Sequence, residues 1–194
     1  MKQAATRELY TYWNDLRQER AAPNRIDLNP AAIRGVLSNT FMVEVDPGHS
    51  YPLRIVGSRM TALFRRELNG ETFMGLWGRD DRLLMTQIIQ TVLDEPIPLV
   101  AGVTAAPAGR GPIELELLLL PLRHEGKTHS RMLGSLVPAS IPSWYGLIAV
   151  DALQIETSRF LYERISVDGP LQVIGAAAAT ARRRSHLVVL EGGR

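Results

Sequence analysis

Four stretches between Tyr12 and Gly70 decide the fold of this chain: YWNDLR (Tyr12–Arg17), PNRIDLNP (Pro23–Pro30), YPLRIVG (Tyr51–Gly57) and LFRRELNG (Leu63–Gly70). In order, they are typical of an amphipathic helix, a linker bounded by prolines, a strand, and a loop that ends in glycine. None of the four has the form of a catalytic motif. The segment therefore favours sensing or docking over chemistry.

Length and composition are those of an ordinary globular protein. The 194 residues suit one domain with extensions, and 45% of them are hydrophobic and 22% charged. Cysteine is absent, which excludes disulfides, a thiolate nucleophile and cysteine metal ligands. The apolar runs are too short to cross a bilayer, and the first residues carry charges where a signal peptide would be apolar. We expect a cytoplasmic protein without a membrane span.

The charge balance gives little support to a nucleic-acid partner. Lys and Arg number 22 against 20 Asp and Glu, a net charge of only +2. Much of the excess lies in Arg65-Arg66 and in the run from Arg182 to Arg184. A nucleic-acid-binding face normally interleaves many more cations with exposed aromatic residues. We therefore expect no nucleic-acid partner and interpret the Arg182 run as a solvated helix end, with contact to RNA, DNA or anionic lipid as the alternative.

Residues 4 to 20 are predicted to form a helix with one apolar stripe, because large side chains recur at helical spacing: Leu9, Tyr12, Trp13 and Leu16. Pro23 ends this helix, and Asn29-Pro30 caps a short second one, so residues 1–38 form an N-terminal helical segment. Burial of each large side chain contributes roughly 1.5 to 3 kcal/mol, so the stripe must be covered. Two coverings are possible: a homodimer anchored by Trp13, or the chain's own sheet.

From Thr40 onward the apolar period changes to two. Strands are predicted at about 40–46, 51–57, 97–106, 112–123 and 128–138, with a long helix near 82–95 between the second and third. The helix is expected to bury a wide apolar face that includes Leu84, and the 112–123 strand is expected to be covered on both faces. In the 51–57 strand, Leu53 and Ile55 are expected to share the face opposite Arg54. This order indicates an α+β fold, with a five-stranded antiparallel sheet and helices over one face. The core is expected at residues 39–140. Residues 141–194 are expected to form a C-terminal extension of unknown role.

The order of elements resembles a family of small, stand-alone bacterial PAS-domain proteins found mainly in alphaproteobacteria. Three features carry the resemblance, which covers residues 8 to about 146: the Trp13-x-x-Leu16-Arg17 helix, the Pro23-x-Arg25-x-Asp27-x-x-Pro30 linker, and the strand end from Arg54 to Gly57. The resemblance implies a PAS sheet with helices closing over a cavity. It also implies a non-enzymatic signalling module that binds a small molecule, a protein partner or both, with a role in motility or cell-cycle control.

Five residues are the candidate ligand contacts under this resemblance: Tyr51, Arg54, Phe73, Met74 and Trp77. The last three lie in the helical interlude that lines the cavity of PAS domains, where they could stack on a planar ligand or simply fill the core. Arg54 could bind a carboxylate or phosphate, or form a salt bridge with an acid such as Asp27 or Glu67. The interlude lacks a histidine or cysteine for haem or flavin attachment, so the cofactor is left unknown.

Catalytic and metal motifs are missing from the sequence. Nucleophile-elbow, phosphate-loop, dinucleotide and zinc-hydrolase patterns do not occur, and Asp80-Asp81 are more simply explained as helix caps. His124 and His129 flank a predicted turn without a third ligand at a familiar spacing, so no metal site is predicted. Two alternatives stay open: a small enzyme that uses the PAS-like cavity, and a protein-interaction adaptor with a filled core.

Overall fold

The computed structural model describes residues 1–46, 48–124 and 127–162. Within them the α-helices are α1 (Ala4–Arg17), α2 (Ser58–Phe64) and α3 (Arg82–Asp94). The strands are β1 (Thr40–Glu44), β2 (Leu53–Val56), β3 (Leu99–Ala105), β4 (Ile113–His124), β5 (Lys127–Pro138) and β6 (Leu153–Phe160). Short 3-10 helices lie at Arg25–Asp27, Pro30–Ile33, Leu37–Asn39 and Phe73–Leu76. None of the helices among the described residues has the length and apolar character needed to cross a membrane.

The strands form one antiparallel sheet in the order β2-β1-β5-β4-β3-β6. The predicted α+β class, with an antiparallel sheet and packed helices, is confirmed. The predicted number of five strands is wrong, because the described residues already supply six strands to the sheet.

The sixth strand comes from the segment that was predicted as an extension. β6 pairs with the edge of β3, from Leu99 opposite Phe160 to Ala105 opposite Leu153. A sequence signal for it exists in Leu153 and Ile155, which alternate with Gln154 and Glu156. Residues 163–194, including the arginine run, lie outside the described part of the chain.

The inner face of the sheet packs against α2, α3 and the Phe73–Leu76 turn. On α3 the buried side chains are Met85, Ile88, Ile89, Val92 and Leu93. These residues confirm the wide apolar face expected of this helix, except that Leu84 is 37% exposed. The helix follows Asp81 and ends at Asp94, two residues before Pro96.

The segment between β5 and β6 crosses the helical layer before it returns to the sheet. The Tyr145 hydroxyl donates to the Arg59 carbonyl oxygen at 2.7 Å, and the Val150 amide donates to the Leu63 carbonyl oxygen at 3.1 Å. Trp144 and Tyr145 pack against the inner core. The crossing segment therefore helps to close the interior.

The outer face is covered by α1 and the turns that follow it. Leu9, Trp13, Ile33 and Val36 form one buried cluster with sheet residues Met42, Leu118, Leu120, Leu122 and Leu133. Because the sheet is covered on both sides, β4 is apolar at nearly every position from Leu115 to Leu122. This agrees with the prediction for that strand.

Strand β2 departs from regular alternation. The pairing with β1 shifts between Met42 and Val43, so that Ile55 lies opposite Met42 and Leu53 opposite Val43. Arg54 is the extra residue of this bulge, which is why Leu53 is buried while Ile55 is half-exposed. The expectation that Leu53 and Ile55 share one face is wrong for this reason.

Candidate functional site

Three aromatic rings form a row between the sheet and the inner helices. The Phe41 ring on β1 stacks on Phe73, with centroids 5.2 Å apart, and Phe73 meets Trp77 edge-on at 5.8 Å. All three residues are buried, with no more than 1% of the surface of Phe41, Phe73 or Trp77 exposed to solvent. Two of the predicted ligand contacts, Phe73 and Trp77, are therefore brought together where the family resemblance implies a cavity. Protein atoms cover the faces of both rings.

The Trp77 indole is the polar group in this row. Its Nε1 is buried and has no hydrogen-bond partner among the described residues. Buried indole N–H groups usually find an acceptor, so an unpaired one needs an explanation. Met74 lies three residues before Trp77 in the chain. It is only partly buried and packs against the same core.

Tyr51 lies elsewhere, at a cleft between the β1–β2 connection and the end of α3. The cleft has a volume of about 310 Å³ and is lined by Val45, Asp46, His49, Tyr51, Gln90, Leu93 and Asp94. The Tyr51 side chain is fully buried, and its hydroxyl lies 3.2 Å from His49 Nδ1. Burial, and then the charges of Asp46 and Asp94, raise the pKa of Tyr51 above its usual value. The phenol therefore stays protonated.

Asp46 holds the loop that places Tyr51. One carboxylate oxygen accepts from the amides of Ser50 and Tyr51, both at 2.8 Å, and the other accepts from the Ser50 hydroxyl at 3.0 Å. Burial alone raises the pKa of Asp46, but these hydrogen bonds outweigh it and leave the pKa lowered. The Tyr51 carbonyl oxygen in turn accepts from the Phe73 amide at 3.0 Å, which links the cleft to the aromatic row.

Arg54 is exposed and lies in neither place. Its Nε donates to Glu44 Oε2 at 2.8 Å, and Arg131 Nη1 lies 3.4 Å from the same oxygen. Arg54 thus forms a salt bridge, as one of the two interpretations expected, but its partner is Glu44 and not Asp27 or Glu67. The hydrogen bond from Arg54 lowers the pKa of Glu44.

The predicted interface stripe is split by the structure. Leu9 and Trp13 are buried against the chain's own sheet, and Trp13 Nε1 donates to the Pro121 carbonyl oxygen at 2.8 Å. Tyr12 and Leu16 are partly exposed, and the Tyr12 hydroxyl accepts from the Asn29 amide at 2.6 Å. The chain alone therefore covers two of the four residues of the stripe, Leu9 and Trp13. The homodimer stays a prediction.

A groove of about 720 Å³ lies beside the start of α1, on the outer face of β3, β4 and β6. Its polar lining includes Lys2 and Gln3 from the chain start, Thr104, Glu114, Glu116, Glu156 and Arg159. Thr104 donates from its hydroxyl to Glu156 Oε1 at 2.8 Å.

Metal-binding groups of three or more His, Cys, Asp or Glu side chains are not found among the described residues. The backbone places His124 opposite Lys127 across the β4–β5 connection, not opposite His129.

An antiparallel sheet with helices closed over an aromatic inner face places the chain in a recognisable class of α+β domain. A sequence model of the family described as PAS domain matches residues 1–137, more than half of the chain. The chain therefore belongs to the PAS domain family. The match ends within β5, so that β6 lies beyond it. A search of curated proteins found no match.

Solved structures with a similar fold include light-oxygen-voltage (LOV) domains. The Rhodobacter sphaeroides LOV protein is 16% identical, with a TM-score of 0.43 over 54% of this chain and 61% of its own. A light-oxygen-voltage domain studied with a flavin analogue is 13% identical, with a TM-score of 0.45 over 57% of this chain and 83% of its own. The chain thus spans about three-fifths of the first of these proteins. The family assignment rests on the sequence match and not on these distant likenesses.

Some residues of these sites were missed by sequence reasoning. Asp46 was not among the candidate residues, and Glu116 was hidden in an apolar strand. A lone acid within Leu115 to Leu122 is the signal that marks Glu116, because an acid at a buried strand position requires partners. For Gly134, which lies under the Phe41 ring, the sequence carries no such signal.

Proposed function

We propose that this protein is a non-enzymatic PAS sensory module that binds a small molecule beside the Phe41–Phe73–Trp77 row and passes the signal to a protein partner. Membership of the PAS family supports the sensory role. We also propose that the protein is bacterial, of the alphaproteobacterial type, that it lies in the cytoplasm, and that it acts in motility or cell-cycle control, as the sequence resemblance implies.

The proposal that a small molecule binds here rests on the Trp77 indole N–H, which has no hydrogen-bond partner among the described residues. Leaving a buried donor unsatisfied costs about 1 to 3 kcal/mol, so a fold that retains one is expected to use it. A ligand with a carbonyl or ring-nitrogen acceptor would satisfy the group, and the neighbouring Phe73 face would suit a planar, largely apolar body. Because the rings are covered in this state, binding requires the Phe73–Leu76 turn to move away from the sheet.

The test is to purify the full chain from its host under native conditions and measure bound molecules by native mass spectrometry and absorbance. A stoichiometric molecule is expected with the wild type and is expected to be lost in Trp77→Phe, which removes the N–H and keeps an aromatic ring. Trp144→Phe is the matched control, because Trp144 packs at the edge of the same core and is only partly buried. An unliganded wild type, or equal retention in both variants, contradicts the proposal.

A second candidate, a protein-interaction adaptor with a filled core, is favoured by the near-complete burial of Phe73 and Trp77. It predicts that the wild type carries no small molecule and that Trp77→Phe leaves partner capture unchanged. The enzyme alternative predicts turnover of a substrate panel that is abolished by changing one polar residue of the Tyr51 cleft.

A further inference from the structure

The Tyr51 cleft is separate from the aromatic row, because none of the three rings of that row lines it. Its volume of about 310 Å³ lies at the lower end of the range for small-molecule sites. Val45, Leu93 and the Tyr51 ring supply apolar surface, and the remaining lining residues are polar: Asp46, His49, Gln90 and Asp94. An apolar wall with a few polar groups is the usual lining of a small-molecule site.

The Tyr51 hydroxyl is a buried polar group with spare hydrogen-bonding capacity. Among the described residues its one hydrogen-bond partner is His49 Nδ1, at 3.2 Å. A phenol oxygen has one proton and two acceptor lone pairs, so this single contact leaves at least one lone pair open. Buried polar groups are normally satisfied, and the open lone pair calls for a donor that enters the cleft.

The cleft also carries negative charge. Burial is the largest cause of the raised pKa of Tyr51, and the charges of Asp46 and Asp94 add to it. Both carboxylates therefore act at the hydroxyl that has the open lone pair. Among the described residues that line the cleft, none is a lysine or an arginine. A donor that is also a cation gains most here, because charge-assisted hydrogen bonds are stronger than neutral ones.

An organic cation suits the cleft better than a metal ion does. Within the described part of the chain, Asp46, His49 and Asp94 do not form a group that could hold a metal. A metal requires several ligands in one tight coordination shell. An ammonium group instead has three N–H donors, which can reach separate acceptors.

The loop that forms the cleft is fixed by its own hydrogen bonds. His49 and Tyr51 have left-handed backbone conformations, with φ of 52° and 53°, which bulky residues rarely adopt. Asp46 holds this loop through the Ser50 and Tyr51 amides, and the Phe73 amide donates to the Tyr51 carbonyl oxygen. A preformed loop loses little conformational freedom when a ligand binds, which favours binding of a small molecule.

From the cavity, the open lone pair and the two carboxylates, we propose that the Tyr51 cleft binds a small organic ammonium ion. The ammonium group donates to the Tyr51 hydroxyl oxygen and to the Asp94 carboxylate, and the apolar part of the ligand packs on Val45 and Leu93. Asp46 contributes its charge, because its oxygens already accept from Ser50 and Tyr51. The site does not depend on whether a ligand binds at Trp77.

The test is a titration of the full chain with n-butylammonium chloride, followed through the amide signals in two-dimensional NMR spectra. We expect saturable shifts in residues 48–51 and 90–94, with the Trp77 indole N–H signal unmoved. The uncharged isostere n-butanol is expected to bind at least about 10-fold more weakly, because it forms no charge-assisted hydrogen bond. Shifts that are absent or do not saturate overturn the proposal, as do equal binding of n-butanol and shifts centred on Trp77.

Two variants test the ammonium contacts. Tyr51→Phe removes the hydroxyl and keeps the ring, and Asp94→Asn removes a charge at an exposed position. Each is expected to weaken n-butylammonium binding by about 10-fold. Wild-type affinity in either variant overturns the proposal, and Asp94→Asn decides alone if Tyr51→Phe does not fold.

Glu95→Gln is the matched control for Asp94→Asn. Glu95 is the next residue in the chain and is also exposed, but it does not line the cleft. Its variant is expected to bind n-butylammonium within about 2-fold of the wild type, because a distant exposed charge is screened by solvent. Equal weakening in Glu95→Gln and Asp94→Asn would show a general charge effect and no site, which also overturns the proposal.

Discussion

The Phe41 ring lies directly over Gly134 on the neighbouring strand. A Cβ built at Gly134 would collide with that ring and come within 2.8 Å of the Leu118 carbonyl oxygen. The missing side chain on β5 is therefore what lets Phe41 lie against the sheet and stack on Phe73. The aromatic row depends on this one glycine.

Gly134→Ala is expected to destabilise the fold by about 1 to 3 kcal/mol or more, because overpacking forces both the Phe41 ring and the β4 backbone to shift. Urea denaturation at equilibrium measures the change. Gly111→Ala is the control, since a Cβ there meets no atom within 4 Å. A Gly134→Ala variant as stable as Gly111→Ala would contradict the packing described for Phe41.

Trp13→Ala is expected to lower the free energy of unfolding by about 3 to 5 kcal/mol, the usual cost of removing a buried tryptophan. Trp13→Phe retains most of the packing and loses the hydrogen bond to Pro121, so the loss is expected to be smaller. Sedimentation of the same proteins tests the homodimer. A wild type that is monomeric across micromolar concentrations ends that prediction, and a Trp13→Ala variant that is dimeric and folded shows that α1 is not the interface.

Arg54→Ala is expected to change stability by less than about 1 kcal/mol, because exposed salt bridges contribute little. Its side chain is 48% exposed, against 19% for Arg131, which contacts the same Glu44 oxygen. Glu44→Gln weakens both contacts and is expected to cost more than Arg54→Ala does. If Arg54→Ala releases a molecule that the wild type retains, the ligand-contact interpretation of Arg54 is correct and the salt bridge is secondary.

The stability of the chain is expected to fall in acid partly through Glu116. Burial raises the pKa of this carboxyl, but hydrogen bonds from the Lys2 and Gln3 amides outweigh burial and leave the pKa below its usual 4.5. A group whose pKa is lower in the folded state stabilises the fold above its unfolded pKa, and the contribution disappears as the pH falls through the folded pKa.

Urea denaturation of wild type and Glu116→Gln near pH 7 and near pH 3 tests this dependence. The wild type is expected to be the more stable protein near pH 7, and the difference is expected to shrink toward pH 3, as Glu116 takes up a proton. Glu44, Asp27 and Asp46 also have lowered pKa values, but they are present in both proteins and cancel in the comparison. A difference that is independent of pH would contradict the role of the ionised carboxylate.

Local pattern was enough to predict most of the elements. Periodicity in the sequence identifies three of them, because each depends only on residues that are close together in the chain. These are the apolar stripe of α1, the apolar face of α3 and the strand β4, which is buried on both faces. The site was less predictable. Tyr51, Phe73 and Trp77 were named as candidates, but the structure places Tyr51 at a separate cleft and Arg54 on an exposed bulge.

The spacing of apolar residues along the chain is enough to predict the α+β class, the helices α1 and α3, the strands β1 to β5 and the need to cover the Leu9–Trp13 stripe. Three relationships follow from tertiary contacts alone: Trp13 packs on the chain's own sheet, Phe41 requires Gly134, and Glu116 caps a helix 113 residues before it in the chain. These relationships join residues far apart in the sequence. No local period encodes them, and they arise only when the strands pair and bring the partners within contact distance.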